Sequence, residues 1–292
     1  MRTLIVGHVT HDYYAEGIKA GGCAFYGAHV HAHLSPTSHL LTAVGEDFQC
    51  DDALSAFDAT VHRSGPTTTF ANYYPPSKPR IQLLETRGAP ITPDLVTSSW
   101  LDADLVHLAP VLQEIDLLEW KAAAGDGLLA INIQGWIKRA GPAFDATSLE
   151  AAQRRGVRGT SHLVVQEHWS VTEDELRGVD IACLGEEDLI DQGDLLERLV
   201  AAVPVVALTL GARGSRIYVH GKPTDVGVYR THVVDPTGAG DVFAATFAHK
   251  IASGLHPVEA AQWASAAASI VIEAAGAIAL ERLGELEGRV KP

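Results

Sequence analysis

Short apolar runs rich in β-branched residues recur along the chain and alternate with stretches of helical period. Leu4–Gly7, Leu40–Val44, Leu105–Leu108, Leu128–Ile133, Leu163–Val165, Ile181–Leu184 and Val205–Leu210 are each too short for a helix, and most are apolar without alternation. Strands covered on both faces read this way, because every side chain meets protein. Gly22–Leu34, Ile115–Ala124 and Leu195–Ala202 carry helical period between them. The succession predicts one domain built on a doubly wound, mostly parallel α/β sheet. One stretch breaks the rhythm. Thr67–Tyr74 and Arg80–Thr86 are rich in strand formers and flank the turn Pro75–Pro79. With Tyr13–Ala20 as a partner, this hairpin predicts a small β lid from about residues 13–20 and 67–86; a surface decoration fits the same pattern.

Composition narrows the classes. The 292 residues are 47% hydrophobic and 20% charged, the balance of a globular chain. The net charge of -14, from 22 basic and 36 acidic residues without a basic run, argues against nucleic acid and anionic membranes as partners. Cys23, Cys50 and Cys183 are odd in number and form no C-x-x-C pair. That excludes a disulfide framework and a cysteine zinc site, and points to the reducing cytoplasm. The start of the chain shows no charged region followed by a long apolar stretch, so no signal peptide is expected. Val258–Leu280, the longest apolar segment, carries Glu259, Gln262 and Glu273 and reads as a buried helix rather than a membrane span. Of His29, His31 and His33, only the first and third share a helix face, which reads as a solvated or half-buried face rather than a metal site. The signatures H-E-x-x-H, G-x-S-x-G, G-x-G-x-x-G and G-x-x-x-x-G-K-[ST] are absent.

In open α/β sheets, ligands sit beyond the carboxyl ends of the strands. The segments there are His8–Asp12, Gln134-Gly135-Trp136, Gly185–Asp188 and Gly211–Gly214. The most specific string is Asp235-Pro236-Thr237-Gly238-Ala239-Gly240-Asp241, followed at once by the helical run Val242–Ile251. Unpaired N–H groups and a positive dipole at a helix start make Gly238, Ala239 and Gly240 an anion site. Asp241 follows in the first turn, placed to accept a proton from an attacking hydroxyl. A bare G-x-G-D would read as an ordinary acidic first turn; the seven-residue string is far more specific.

That string resembles the C-terminal signature of the ribokinase-like (PfkB) carbohydrate kinases, a family that includes adenosine, fructose and inositol kinases. Gly21-Gly22 resembles its N-terminal double glycine, Val44-Gly45-Glu46-Asp47 a landmark after the second strand, and Thr209–Gly214 the segment bordering the nucleotide. The resemblance implies an α/β core with a β lid and ATP- and magnesium-dependent transfer of a phosphoryl group to a small polyol or sugar. Asp241 would be the base and Gly238–Gly240 the anion hole. Asp12, Gly21, Gly22 and Gln134 would bind substrate, and Thr209, Gly211, Gly214 and Ser265 the nucleotide. A monovalent cation would lie near Asp235, and the protein would be a monomer or homodimer. Thr67-Thr68-Thr69-Phe70, Gln134-Gly135-Trp136 and the short Asp12–Gly21 interval look closest to the myo-inositol kinase branch.

The chain departs from the family pattern at Gly185-Glu186-Glu187-Asp188, where N-x-x-E is usual, which leaves Glu187 and Asp188 to act on magnesium through water. Cys23-Ala24-Phe25-Tyr26 after the double glycine puts ribose in doubt, and Ser265 in place of an asparagine leaves the nucleotide open. Two alternatives remain. One is a nucleoside kinase of the same fold, with Phe25, Tyr26 or Trp136 forming a base slot. The other is a non-catalytic ligand-binding protein on a kinase scaffold.

Overall fold

The computed structural model describes residues 1–14, 17–73, 81–144 and 161–290; the turn read at Pro75–Pro79 lies outside them. The described strands form two sheets. In spatial order the larger holds β15 (Lys222–Val226), β14 (Ser215–Val219), β13 (Val205–Thr209), β12 (Ile181–Gly185), β9 (Leu128–Asn132), β8 (Leu105–Leu108), β1 (Thr3–Val6), β4 (Ser38–Val44) and β5 (Ala59–Arg63). From β13 to β5 all pairings are parallel, and β14 and β15 add an antiparallel edge.

Alternate side chains of these strands enter different cores, which is why the runs are apolar without alternation. Leu4, Val6 and Leu41 meet Trp120 of α2 (Leu117–Ala123) and Leu195 and Leu199 of α3 (Leu195–Ala202). Ile5, Leu40 and Val44 face the other way, onto α1 (Cys23–Leu34), α4 (Ala239–Ala252) and α5 (Pro257–Val271). The fold is a mixed α/β fold on a mostly parallel sheet.

The smaller sheet runs β10 (Lys138–Phe144), β11 (Ser161–Gln166), β7 (Ile81–Thr86), β6 (Thr69–Tyr73), β2 (Thr10–Tyr14) and β3 (Gly17–Gly21). Its pairings are antiparallel except β2 with β6. Chain connectivity puts it over the carboxyl ends of the core strands: β2 leaves β1 after Gly7–Val9, and β10 leaves β9 after the single helical turn Gln134–Ile137.

Two readings of the sequence need correction. Leu163–Val165 belongs to β11 of the smaller sheet and is only partly buried. Three apolar residues beside His162 and Gln166 are too short a run to reveal which sheet they join. The apolar stretch from Val258 is not one helix. α5 ends at Val271, and a 3₁₀ helix over Ile278–Glu285 follows a turn at Gly276, whose φ of 59° suits glycine. Among the described residues no helix is long and apolar enough to cross a membrane.

Candidate active site

A cavity of about 420 Å³ opens between the carboxyl edge of the core sheet and the smaller sheet. That volume lies within the ~300–1,000 Å³ usual for small-molecule sites. Its lining gathers segments from across the chain: Asp12 on β2, Gly22 at the start of α1, Gln134 after β9, Gly185–Asp188 from the last residue of β12 onward, Thr209 at the end of β13 with Gly211 just beyond, and Gly238, Gly240 and Asp241 at the start of α4. Parallel strands explain the convergence, since their carboxyl ends all lie on one edge.

α4 begins at Gly238, which is left-handed with φ 81° and ψ -5°. A Cβ there would overlap the ring of Tyr26, which is buried on α1. Glycine is required on both counts. Asp235 fixes the loop before it: Oδ1 accepts from the Thr237 amide at 2.9 Å and Oδ2 from the Gly276 amide at 2.9 Å. Asp241, the third helical residue, stands in the first turn, where its carboxylate faces the cavity beside Gly238 and Gly240. The Cys23 thiol donates to Gln134 Oε1 at 3.6 Å, and burial followed by the neighbouring Asp241 charge pushes that thiol well above its ordinary range. Cys23 therefore stays protonated and acts as a donor next to the carboxylate.

On the opposite wall, Asp12 is buried and accepts from Thr10 Oγ1 at 2.9 Å. Gly21 does not line the cavity, but a Cβ there would collide with the Asp12 carboxylate, so its role is to leave room for that group. Asn72 of β6 and Gln82 of β7 are cross-strand partners, and both line the cavity. Among the described residues, Asn72 Oδ1 is buried without a hydrogen-bond partner. An orphaned amide oxygen in a cavity wall is an open place for a ligand donor.

Asp188 is also buried, and its Oδ2 accepts from the Gly185 amide at 2.8 Å. Burial pushes its carboxyl above the usual range, while the Gly185 amide and the Lys138 charge pull the other way. Glu187 lies next to it on the lining, whereas Glu186 pairs with Arg213. Asp188, Glu187 and Thr209 share the lining, but among the described residues no group of three or more His, Cys, Asp or Glu side chains is gathered to hold a metal ion.

The structure does not bring every candidate residue to the cavity. Gly214 is a turn residue, with φ 93° and no room for a Cβ against the Val226 carbonyl. Ser265 is buried and its hydroxyl donates to the Gly227 carbonyl at 3.0 Å. Ala239 opens α4 but is not on the lining. Of the residues considered for a base slot, only Tyr26 reaches the cavity. Phe25 packs edge-on against His29 and Phe57. Trp136 stacks on Trp169 at 5.5 Å and donates its indole N–H to the Ile115 carbonyl.

The sequence reading missed Lys138, the first residue of β10. Its Nζ donates to Gln82 Oε1 at 3.2 Å. Among the described residues, the lining carries the carboxylates of Asp12, Glu186, Glu187, Asp188 and Asp241 against this one ammonium. A lysine four residues beyond Gln134, just past a strand end, was the available signal.

Residues 147–282 match the pfkB family of carbohydrate kinases. A 78-residue segment is 40% identical to a ribokinase of Arabidopsis thaliana; it is 26% of this chain and spans only 21% of that relative. Solved structures match over nearly the whole chain. A pyrophosphate-dependent kinase of the ribokinase family, complexed with a pyrophosphate analogue and myo-inositol, superposes with TM-score 0.74 at 17% identity, covering 97% of this chain and 99% of that one. The ribokinase of Thermotoga maritima gives 0.72 at 18%, covering 100% and 99%. The ribokinase of Arabidopsis thaliana complexed with ribose and ATP gives 0.71 at 18%, again covering 100% and 99%. At these identities the likeness is one of fold.

Proposed function

The chain carries a pfkB-family carbohydrate kinase domain, and from that premise we propose that it is an ATP-dependent phosphotransferase acting on a hydroxyl of a small polyol or sugar, with a cyclic polyol such as myo-inositol favoured. The observation that carries the proposal is one cavity holding Asp241 and the α4 start on one side and Asp12 and the unpartnered Asn72 oxygen on the other. The polar wall of Asp12, Asn72, Gln82 and Gln134 suits several hydroxyls. A purine would need a wider apolar slot than Tyr26 and Phe70 supply.

Phosphoryl transfer proceeds through a loose transition state, so positioning and charge stabilisation dominate. Asp12 orients the acceptor, and Asp241 aligns the attacking hydroxyl and takes its proton late. The α4 N-terminus at Gly238–Gly240 receives the charge that moves onto the phosphoryl oxygens. Lys138 adds a positive charge from the smaller sheet, which we propose acts as a lid that excludes water. Magnesium, when bound, would offset phosphate charge, and Asp188 and Glu187 would hold it through water.

The test is ADP release from ATP against a panel of polyols, sugars and nucleosides, with pyrophosphate run in parallel as donor and sugar phosphate measured directly. Phosphorylation of a polyol or sugar by ATP is expected. A nucleoside preferred over every polyol and sugar, or pyrophosphate preferred over ATP, would overturn the assignment of acceptor or donor respectively.

A further inference from the structure

α1, β8 and α4 each place one histidine in the interior, and the three imidazoles join end to end. His249 Nδ1 lies 3.1 Å from His31 Nδ1, His31 Nε2 lies 3.0 Å from His107 Nδ1, and His107 Nε2 lies 3.0 Å from Asn132 Oδ1. All four residues are buried. His31 is turned away from the half-buried to exposed face that His29 and His33 share. Packing alone does not call for three imidazoles, since each must have its ring nitrogens satisfied. The chain ends at the carboxyl end of β9, on a residue that lines a second, smaller cavity of about 60 Å³ with Gln134, Asp188, Gly240 and Asp241.

Burial keeps the rings neutral: His107 and His249 are held down at about 4, and His31 well below its ordinary value. A neutral imidazole has one N–H and one lone pair. Each link then carries one proton, and all links point the same way. In one direction His249 Nδ1–H donates to His31, His31 Nε2–H to His107, and His107 Nε2–H to the Asn132 carbonyl. In the other, His249 donates to its second partner, the Leu34 carbonyl, and the Asn132 amide must turn over to donate to His107. Carbonyls at both ends would take four protons, and three neutral rings hold three. The three tautomers and the one amide are thus a single two-state unit.

The cavity decides between the two directions. Asp188 and Asp241 both line it, so an amide carbonyl turned toward them is repelled and an NH₂ is attracted. We infer that Asn132 is a positioning residue for phosphoryl transfer: the histidine chain holds its carbonyl, so that its NH₂ faces the Asp241 cavity and fixes the orientation of the base. The NH₂ acts directly or through a water, for which the cavity has room. The inference rests on the proposed role of Asp241.

Two measurements on the full chain test it. Multiple-bond ¹H–¹⁵N spectra of the histidines at neutral pH are expected to show His31 and His107 as Nε2–H and His249 as Nδ1–H; His107 as Nδ1–H would overturn the inference without any assay of turnover. Kinetics supply the second arm. Asn132→Leu should lower kcat roughly 10- to 100-fold, the scale of a misplaced catalytic group, with the acceptor KM within about twofold. His107→Leu should do the same in part, and His107→Gln, which keeps a donor near the Nε2 position, should recover most of the loss. A parent that turns over beside an equally fast Asn132→Leu variant would sink the positioning role alone. A parent inactive with every donor and acceptor would sink the proposed reaction and this role with it, while the spectra still report which way the amide points.

Discussion

Replacing Gly238 by alanine perturbs the start of α4 in a way that can be worked out from the structure. The residue stands at φ 81°, where an L side chain costs roughly 1–2 kcal/mol. The added Cβ also overlaps the ring of Tyr26, which is buried and held on α1, so the ring cannot swing clear; overpacking of that kind costs about 1–3 kcal/mol. The sum is roughly 2–5 kcal/mol, a fall in Tm on the order of 5–15 °C for a domain of this size. Gly240→Ala is the internal control. A Cβ there meets nothing within 4 Å, and alanine is the better helix former by about 1 kcal/mol, so its melt should match or exceed the parent's. Both variants should lose turnover, Gly238→Ala because the helix start shifts and Gly240→Ala because its methyl enters space the phosphoryl group needs. Thermal melts and turnover on the same preparations check this. A Gly238→Ala variant that melts within about a degree of the parent and keeps its rate would refute the packing argument and the anion site together.

Three further outcomes follow from the same geometry. Asp12→Ala should weaken acceptor binding by roughly 1.5–3 kcal/mol in calorimetry, the cost of a lost charged acceptor, with ATP affinity nearly intact; unchanged acceptor affinity removes Asp12 from the site. Lys138→Met should cut kcat by about 10²–10³-fold, the scale of a lost transition-state donor, with partial recovery in Lys138→Arg; a Met variant within twofold of the parent contradicts its role. Stability should fall as pH drops from about 6.5 toward 4. His29, His107 and His249 stay neutral in the fold down to about 4, while the unfolded chain protonates them near 6.5. Folding therefore rejects protons in that window, at up to about 1.4 kcal/mol per pH unit for each histidine, and the stabilisation is complete above it. A Tm that is flat between pH 7 and 5 would contradict the buried, neutral histidines.

Much of the core sheet was legible because a strand covered on both faces leaves an uninterrupted apolar run, as at Leu4–Val6 and Ile181–Leu184. The start of α4 was legible because the seven-residue string Asp235–Asp241 runs straight into the helical run Val242–Ile251, where a bare G-x-G-D would read as an ordinary acidic first turn. The smaller sheet was only half legible. Its first four strands share a hairpin pattern, but β10, with Gly141 and Pro142 at its middle, shows no run of strand formers, and Leu163–Val165 of β11 mimics a core strand. Asn132 carries no local signal and Lys138 only its place just past a strand end, because their meaning comes from what lies across the cavity from them. The histidine chain was illegible for the same reason. His31, His107 and His249 are 76 and 142 residues apart in sequence along the chain, and helical period separates His31 from the His29 and His33 face without saying what it meets. Ser265 and Gly214 match a pattern in sequence, and in the structure one donates to the Gly227 carbonyl and the other makes a turn at φ 93°.

The central claim is that Asp241 is the base, and Asp241→Asn tests it most directly. The substitution keeps the size and polarity of the side chain at the start of α4 and removes the charge that accepts the hydroxyl proton. Melt, ligand affinity and turnover should be measured on one preparation. The account predicts a melt and affinities close to the parent's, with kcat lower by roughly 10²–10⁴-fold, the usual worth of a general base. A variant that folds and binds like the parent and still phosphorylates its acceptor within a few-fold of the parental rate would contradict it.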